Sequence, residues 1–208
     1  MTASNSPQKT LPHIPAKSIP AALIYEIIDG QPIYFKGYRE VLKKQKTIEE
    51  IMGSSTLQGF IIEYILRILF RKLDEKRFHI LTNEQGLHLS EKNNLSADIA
   101  IFEKEKLSVK LADKQYASVP PKIQIEVDIN ADTEDFASPV SYTYLKTEKL
   151  FEFGVEKVIW ILSESKKVMV ATPNEDWQIV DWHKEIEILD GLSFCIGQYL
   201  KEEGSPFA

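Results

Sequence analysis

The stretch "PPKIQIEVDINADTED", Pro120 to Asp135, carries carboxylates where a strand has little use for them. Ile123, Ile125, Val127 and Ile129 alternate with Lys122, Gln124, Glu126 and Asp128, which is a strand with one apolar face. A further carboxylate, Asp98, interrupts the apolar run "LSADIAIF". Alternation there puts Ala97, Ile99 and Ile101 on one face and Asp98, Ala100 and Phe102 on the other. Sequential strands often pair, and pairing these two brings Asp98 and Glu126 within a few ångströms. Carboxylates that close repel, so one takes up a proton or a cation lies between them. Magnesium or manganese suits such hard oxygen ligands.

Lys146 is the third candidate. With 3.6 residues per turn, Lys146, Leu150 and Phe153 share the apolar side of a helix in "YLKTEKLFEF", while Glu148 and Glu152 point elsewhere. A lysine on a buried face calls for a carboxylate partner. The plain alternative is that Asp98, Glu126 and Lys146 form a buried ion cluster without chemistry, an arrangement that contributes little stability once desolvation is counted. Asp128 reads either as a solvent-facing residue or as a further ligand. Glu84 reads as a turn residue or an acid beside the site, and Glu63 as a rim residue that reaches solvent.

Other chemistries find little support. His13, His79, His88 and His183 lack ligand spacing for zinc. Ser54 and Ser55 sit outside any G-x-S-x-G setting and read as helix caps. No G-x-x-x-x-G-K-[ST] loop occurs.

The elements that must position these groups follow from the pattern. "ALIYEIIDGQPIYFK" reads as a hairpin turning at Asp29-Gly30. "GSSTLQGFIIEYILRILFRKL" is the strongest helix, with Ile61, Ile65, Ile68, Leu69 and Leu73 as its apolar stripe. "FHILTNEQGLHL" is a strand broken at Gly86. A polar loop over 103–121 leads to the strand holding Glu126, then to the Lys146 helix, which ends at Gly154. "VEKVIWIL" and "KKVMVAT" are successive strands, "DWQIVDW" and "EIEIL" continue an antiparallel tail, and "DGLSFCIGQYL" closes as a helix. The expected class is α/β (α+β), with a central mixed β-sheet flanked by helices.

The chain has 208 residues and fits a single domain over 21–208 after a mobile arm, 1–20, rich in Pro, Ser and Thr. The N-terminal segment has no hydrophobic run of a secretory signal, and no apolar stretch approaches the roughly 20 residues of a membrane helix. The lone Cys195 excludes an intrachain disulfide and fits a reducing, cytoplasmic setting. The net charge of −6 speaks against a non-specific nucleic-acid binder but leaves room for a nuclease with a carboxylate cluster. The basic run "YREVLKKQK", with Arg39, Lys43, Lys44 and Lys46, reads as a solvated face or a phosphate contact.

In the order "YEIIDG", "SADIAI", "PPKIQIEV" and "KTEKLFEFGVEKVIW", the chain resembles the Uma-two family of restriction endonucleases, a branch of the PD-(D/E)XK nuclease superfamily. The resemblance runs from about Tyr25 to the tail strands. It implies a restriction-endonuclease-like core and magnesium- or manganese-dependent hydrolysis of DNA phosphodiester bonds. Asp98, Glu126 and the Val127 carbonyl would be the metal ligands, with Asp128 as a further one, and Lys146 the catalytic lysine. Ala97 replaces the family's proline before the aspartate. Asp128 stands where a plain E-x-K motif has its lysine, and in this family that lysine has moved to the helix. A homodimer would suit cutting of both strands. The alternative is a catalytically degenerate nuclease-fold module that binds nucleic acid or protein.

Overall fold

The computed structural model describes residues 19–208, so the expected arm falls almost wholly outside the described residues. Strands β1 (Ile24–Ile28) and β2 (Gln31–Tyr34) form the expected hairpin. Asp29 and Gly30 both take positive φ, 51° and 76°, as a two-residue turn of this hand requires. Two short helices follow, α1 (Tyr38–Leu42) and α2 (Glu49–Met52), and then the long α3 (Thr56–Lys72). The Ser55 hydroxyl caps α3 by accepting from the Gln58 N–H at 3.1 Å. The "FHILTNEQGLHL" segment becomes β3 (Phe78–Thr82) and β4 (Leu87–Ser90), which belong to different sheets. Next come β5 (Asn93–Leu95), β6 (Ile99–Glu103) and β7 (Ile123–Val127).

Helix α4 (Pro139–Phe153) starts earlier than the sequence pattern suggests. Ser138 caps it, Pro139 occupies the first turn, and Gly154 ends it at φ 110°. The chain continues through β8 (Lys157–Leu162), β9 (Lys167–Ala171) and β10 (Gln178–Asp181). The expected tail then departs from the main sheet. β11 (Ile186–Leu189) pairs with β12 (Leu192–Phe194) as a separate ribbon, and only α5 (Ile196–Glu202) of the closing segment is helical.

The main sheet has the order β10-β9-β8-β7-β6-β3, and a smaller one has the order β2-β1-β5-β4. In the main sheet β7 and β8 run parallel, joined across α4, and every other pair is antiparallel. This is the expected mixed α/β architecture. Both faces of the main sheet are covered. Ile61, Ile65 and Leu69 of α3 pack with Ile99, Ile123, Ile125, Val127, Ile159 and Ile161 on one side. Tyr142 and Leu150 of α4 pack with Ala100, Phe102, Val158 and Trp160 on the other, where the smaller sheet contributes Ile28, Leu87 and Leu95. Alternation along β7 therefore turns Gln124 and Glu126 into the α4 layer. The polar face of that strand meets a helix rather than solvent.

Candidate active site

Glu126, Lys146 and Glu26 meet in that layer, each at most 2% exposed. The Lys146 ammonium lies 2.7 Å from Glu26 Oε1 and 2.9 Å from Glu126 Oε1. Buried positions on α4 include Tyr142, Lys146 and Leu150, one turn apart, so the lysine lies in the middle of the helix's inner stripe. Below it, the Trp160 indole N–H donates to Thr147 Oγ1 at 3.0 Å, locking helix to sheet.

Glu26 is the site residue that spacing alone misses. Its Oε1 accepts from Lys146 and from the Ser96 N–H at 2.9 Å, and its Oε2 accepts from the Tyr142 hydroxyl at 2.6 Å. The one available signal is a charged residue inside the apolar strand "LIYEII" of the hairpin. Gln58 is also missed. In the first turn of α3 it is buried, and its side-chain amide donates to the Val127 carbonyl at 2.9 Å. Its signal is the S-x-x-Q spacing after Ser55, which reads as a capping box. Here the glutamine reaches across to β7 instead.

Asp98 stands one residue beyond the last β6–β7 pair, Ile99 with Ile125, and its Oδ2 accepts from the Val127 N–H at 2.7 Å. The predicted alternation slips at this point. Ala97 packs with Ala100 and Phe102 rather than with Ile99 and Ile101. The chain bends at Asp98, and the backbone of Ala97 pairs with Gln85 instead of continuing β6. Asp128 points away from the cluster. Its φ of 62° breaks the strand, and its two carboxylate oxygens accept from the N–H and hydroxyl of Ser163, each at 2.7 Å. Both oxygens are thus engaged in a β7–β8 tie. Glu63 is exposed and pairs with Arg67 at 3.1 Å. In the basic run, Arg39 is held by Asp132, Glu134 and Asp135 at 3.7, 3.1 and 3.0 Å, so that cation is tied to the β7–α4 loop.

One ammonium is shared by two buried carboxylates, an excess of negative charge that low-dielectric surroundings resist. Burial pushes Glu126 up to about 8, against the pull of Lys146, with Asp98 and Glu26 adding to the rise. Burial likewise pushes Asp98 up to about 6, although the Val127 N–H works the other way. Burial would lower the Lys146 ammonium, but Glu126 and Glu26 outweigh it and hold it well above the ordinary lysine value. At neutral pH the Lys146 ammonium therefore faces a protonated Glu126. The bonds from Lys146 and from the Gln124 amide both go to Glu126 Oε1, leaving Oε2 outside them.

Among the described residues no three His, Cys, Asp or Glu side chains are grouped to hold a metal ion. Two carboxylates with hard oxygens are what Asp98 and Glu126 offer. No helix among the described residues is long and apolar enough to cross a membrane.

No family model matches the sequence, and no curated protein matches it. A solved structure does match. It is a protein of Anabaena variabilis ATCC 29413 described as a "putative nuclease belonging to DUF820". The TM-score is 0.60 over 85% of this chain and 89% of the other, at 13% sequence identity. The chain thus has a nuclease-like fold.

Proposed function

We propose that this chain is a metal-dependent endonuclease that hydrolyses phosphodiester bonds of DNA. The observation that carries the reading is the burial of Asp98, Glu126 and Lys146 together at the end of β7, within a nuclease-like fold. Asp98 and Glu126 would hold magnesium or manganese. Magnesium is commonly held by one or two protein carboxylates plus water and substrate phosphate, so a two-acid set suffices without a larger cage. The Val127 carbonyl is a candidate third oxygen, and Gln58 fixes its direction. When bound, such a cation supplies a water of lowered pKa and positive charge against the phosphate.

The chain's own groups do the rest. Glu26 and Tyr142 fix Lys146, and Lys146 holds Glu126 Oε1. Its positive charge stabilises the charge that develops on the phosphate as the water O–P bond forms and the ester P–O bond breaks. A homodimer would offer one such site to each strand of a duplex.

A second reading is a nuclease-fold module without catalysis. The observation favouring it is that Lys146 is fully buried and its bonds close on Glu26 and Glu126, a triad already neutral with one proton. Supercoiled plasmid with magnesium or manganese separates the two. The endonuclease nicks it, and Glu126→Gln does not. A wild type that leaves plasmid, linear duplex, single strands and RNA intact under both metals overturns the endonuclease reading.

A further inference from the structure

A cleft of about 870 Å³ opens beside the acid cluster rather than over it, between the first hairpin, β5 and the loop before β7. Its volume is that of a small-molecule site, which spans about 300–1,000 Å³. Glu26 and Ser96 belong to its lining, and both are wired to the cluster. Glu26 bonds Lys146, and the Ser96 carbonyl accepts from the Gln124 amide, which in turn bonds Glu126. Tyr25 also lines the cleft, and its ring centroid lies 5.9 Å from the Lys146 ammonium. Whatever fills this cleft is one side chain away from Lys146.

The cleft's other wall carries an exposed aromatic that is nevertheless fixed. Tyr116 is 58% exposed. Its ring rests on Gly86, where a Cβ would come within 2.4 Å of Tyr116 Cδ1, so only glycine leaves that seat open. The flanking backbone is pinned as well: the Ala117 N–H donates to the Gly86 carbonyl at 3.0 Å and the His88 N–H to the Ala117 carbonyl at 2.9 Å. An exposed ring held this way is a preformed stacking surface. Nearby, Asn94 lines the cleft with its Oδ1 2.6 Å from His88 Nδ1, which keeps its amide N–H₂ out of that bond. Lys114 is the lysine of the lining, set against the acids Glu26 and Asp113. One lysine against two acids offers no basic track for a phosphate backbone, so recognition here falls to the base.

We infer that this cleft binds one unpaired nucleotide of the substrate, its base against Tyr116 and its edge at Asn94. The inference rests on the nuclease reading for the identity of the substrate. Aromatic faces and an amide donor read bases that have left the stack, whose faces and pairing edges are otherwise hidden in a duplex. The substrate class would then be single-stranded nucleic acid, or duplex with a flap, bulge or extruded base.

The test is fluorescence anisotropy with a fluorescein-labelled dT8 strand and with the matching blunt duplex, in EDTA so that nothing is cut. The wild type should bind the strand more tightly than the duplex. Stacking is worth about 1–3 kcal/mol per base, so Tyr116→Ala should weaken strand binding at least about fivefold while duplex binding stays unchanged. Tyr116→Trp should retain strand binding. Phe70→Ala, which removes an exposed ring on α3 outside the cleft, should change nothing. Equal binding of strand and duplex, no binding of either, or strand binding indifferent to Tyr116→Ala overturns the inference. The two readings fail separately. A protein that binds dT8 through Tyr116 but never cuts loses the nuclease reading alone. One that cuts but shows no strand preference loses the cleft alone.

Discussion

Removing the ionisable group at position 126 should flatten the pH dependence of stability. Glu126 is 2% exposed and titrates near 8 in the folded chain, against about 4.5 when unfolded. Between those values the folded state holds a proton that the unfolded state has lost. Stability therefore falls as pH rises through that window, by at most about 1.4 kcal/mol per pH unit from this group, and levels off above about 8. Asp98, raised to about 6, adds to the fall in the lower part of the window. For a chain of this size 1 kcal/mol corresponds to about 2–4 °C in Tm. Glu126→Gln mimics the protonated acid and can still accept from Lys146 through its carbonyl. It should match wild type near pH 5 and become the more stable protein by several degrees at pH 8.5. The assay is thermal melting in EDTA from pH 5 to 9, followed by circular dichroism. Parallel curves for the two proteins, or a wild-type Tm that climbs from pH 6 to 8, would refute the buried, proton-sharing triad.

Lys146→Met keeps the helix packing but strands Glu26 and Glu126 without their cation, so it should cost about 3–5 kcal/mol in denaturant unfolding. Loss under 1 kcal/mol would show that the ammonium is dispensable to the fold. Magnesium should raise the wild-type Tm by binding the native state, and by more at pH 8 than at pH 6, because Asp98 and Glu126 must release protons to bind it. The double variant Asp98→Asn, Glu126→Gln should show no such rise, and an equal rise would place the cation elsewhere. If catalysis holds, Lys146→Ala should lower the plasmid-nicking rate far more than DNA affinity, since affinity is spread over many phosphate contacts.

The central layers of the fold are legible in the sequence because their periodicity is strong. The α3 stripe, the Asp29-Gly30 turn and the alternation in "KIQIEV" each specify one local structure, and each agrees with where it packs. The start of α4 is hidden because "SPVSYTY" carries Pro139, Val140 and two tyrosines, poor helix formers, and its helical state comes from the Ser138 cap and the burial of Tyr142. The tail is misread for a different reason. β10 and β11 have the same alternating pattern, and nothing local says that only β10 joins the main sheet.

The candidate site divides along the same line. Asp98, Glu126 and Lys146 stand out as charges in apolar runs, and all three are buried. Strand alternation assigns Glu126 to its layer correctly because β7 stays paired with β8 through Val127, whereas it fails at Asp98, where the β6–β7 ladder has ended and the chain bends. The same rule placed Asp128 beside Glu126, but pairing ends at Val127, and a positive φ turns the next side chain to Ser163. Glu26 and Gln58 come from elements 120 and 69 residues distant from the groups they bond, and no spacing rule spans that separation. What connects them is stoichiometry. A buried lysine facing one carboxylate is balanced, and the second carboxylate makes Glu126 the member that gives way, by taking a proton. Glu26 is thus the residue that leaves Glu126 without a cation of its own, and its place beside Lys146 follows from the hairpin folding over α4.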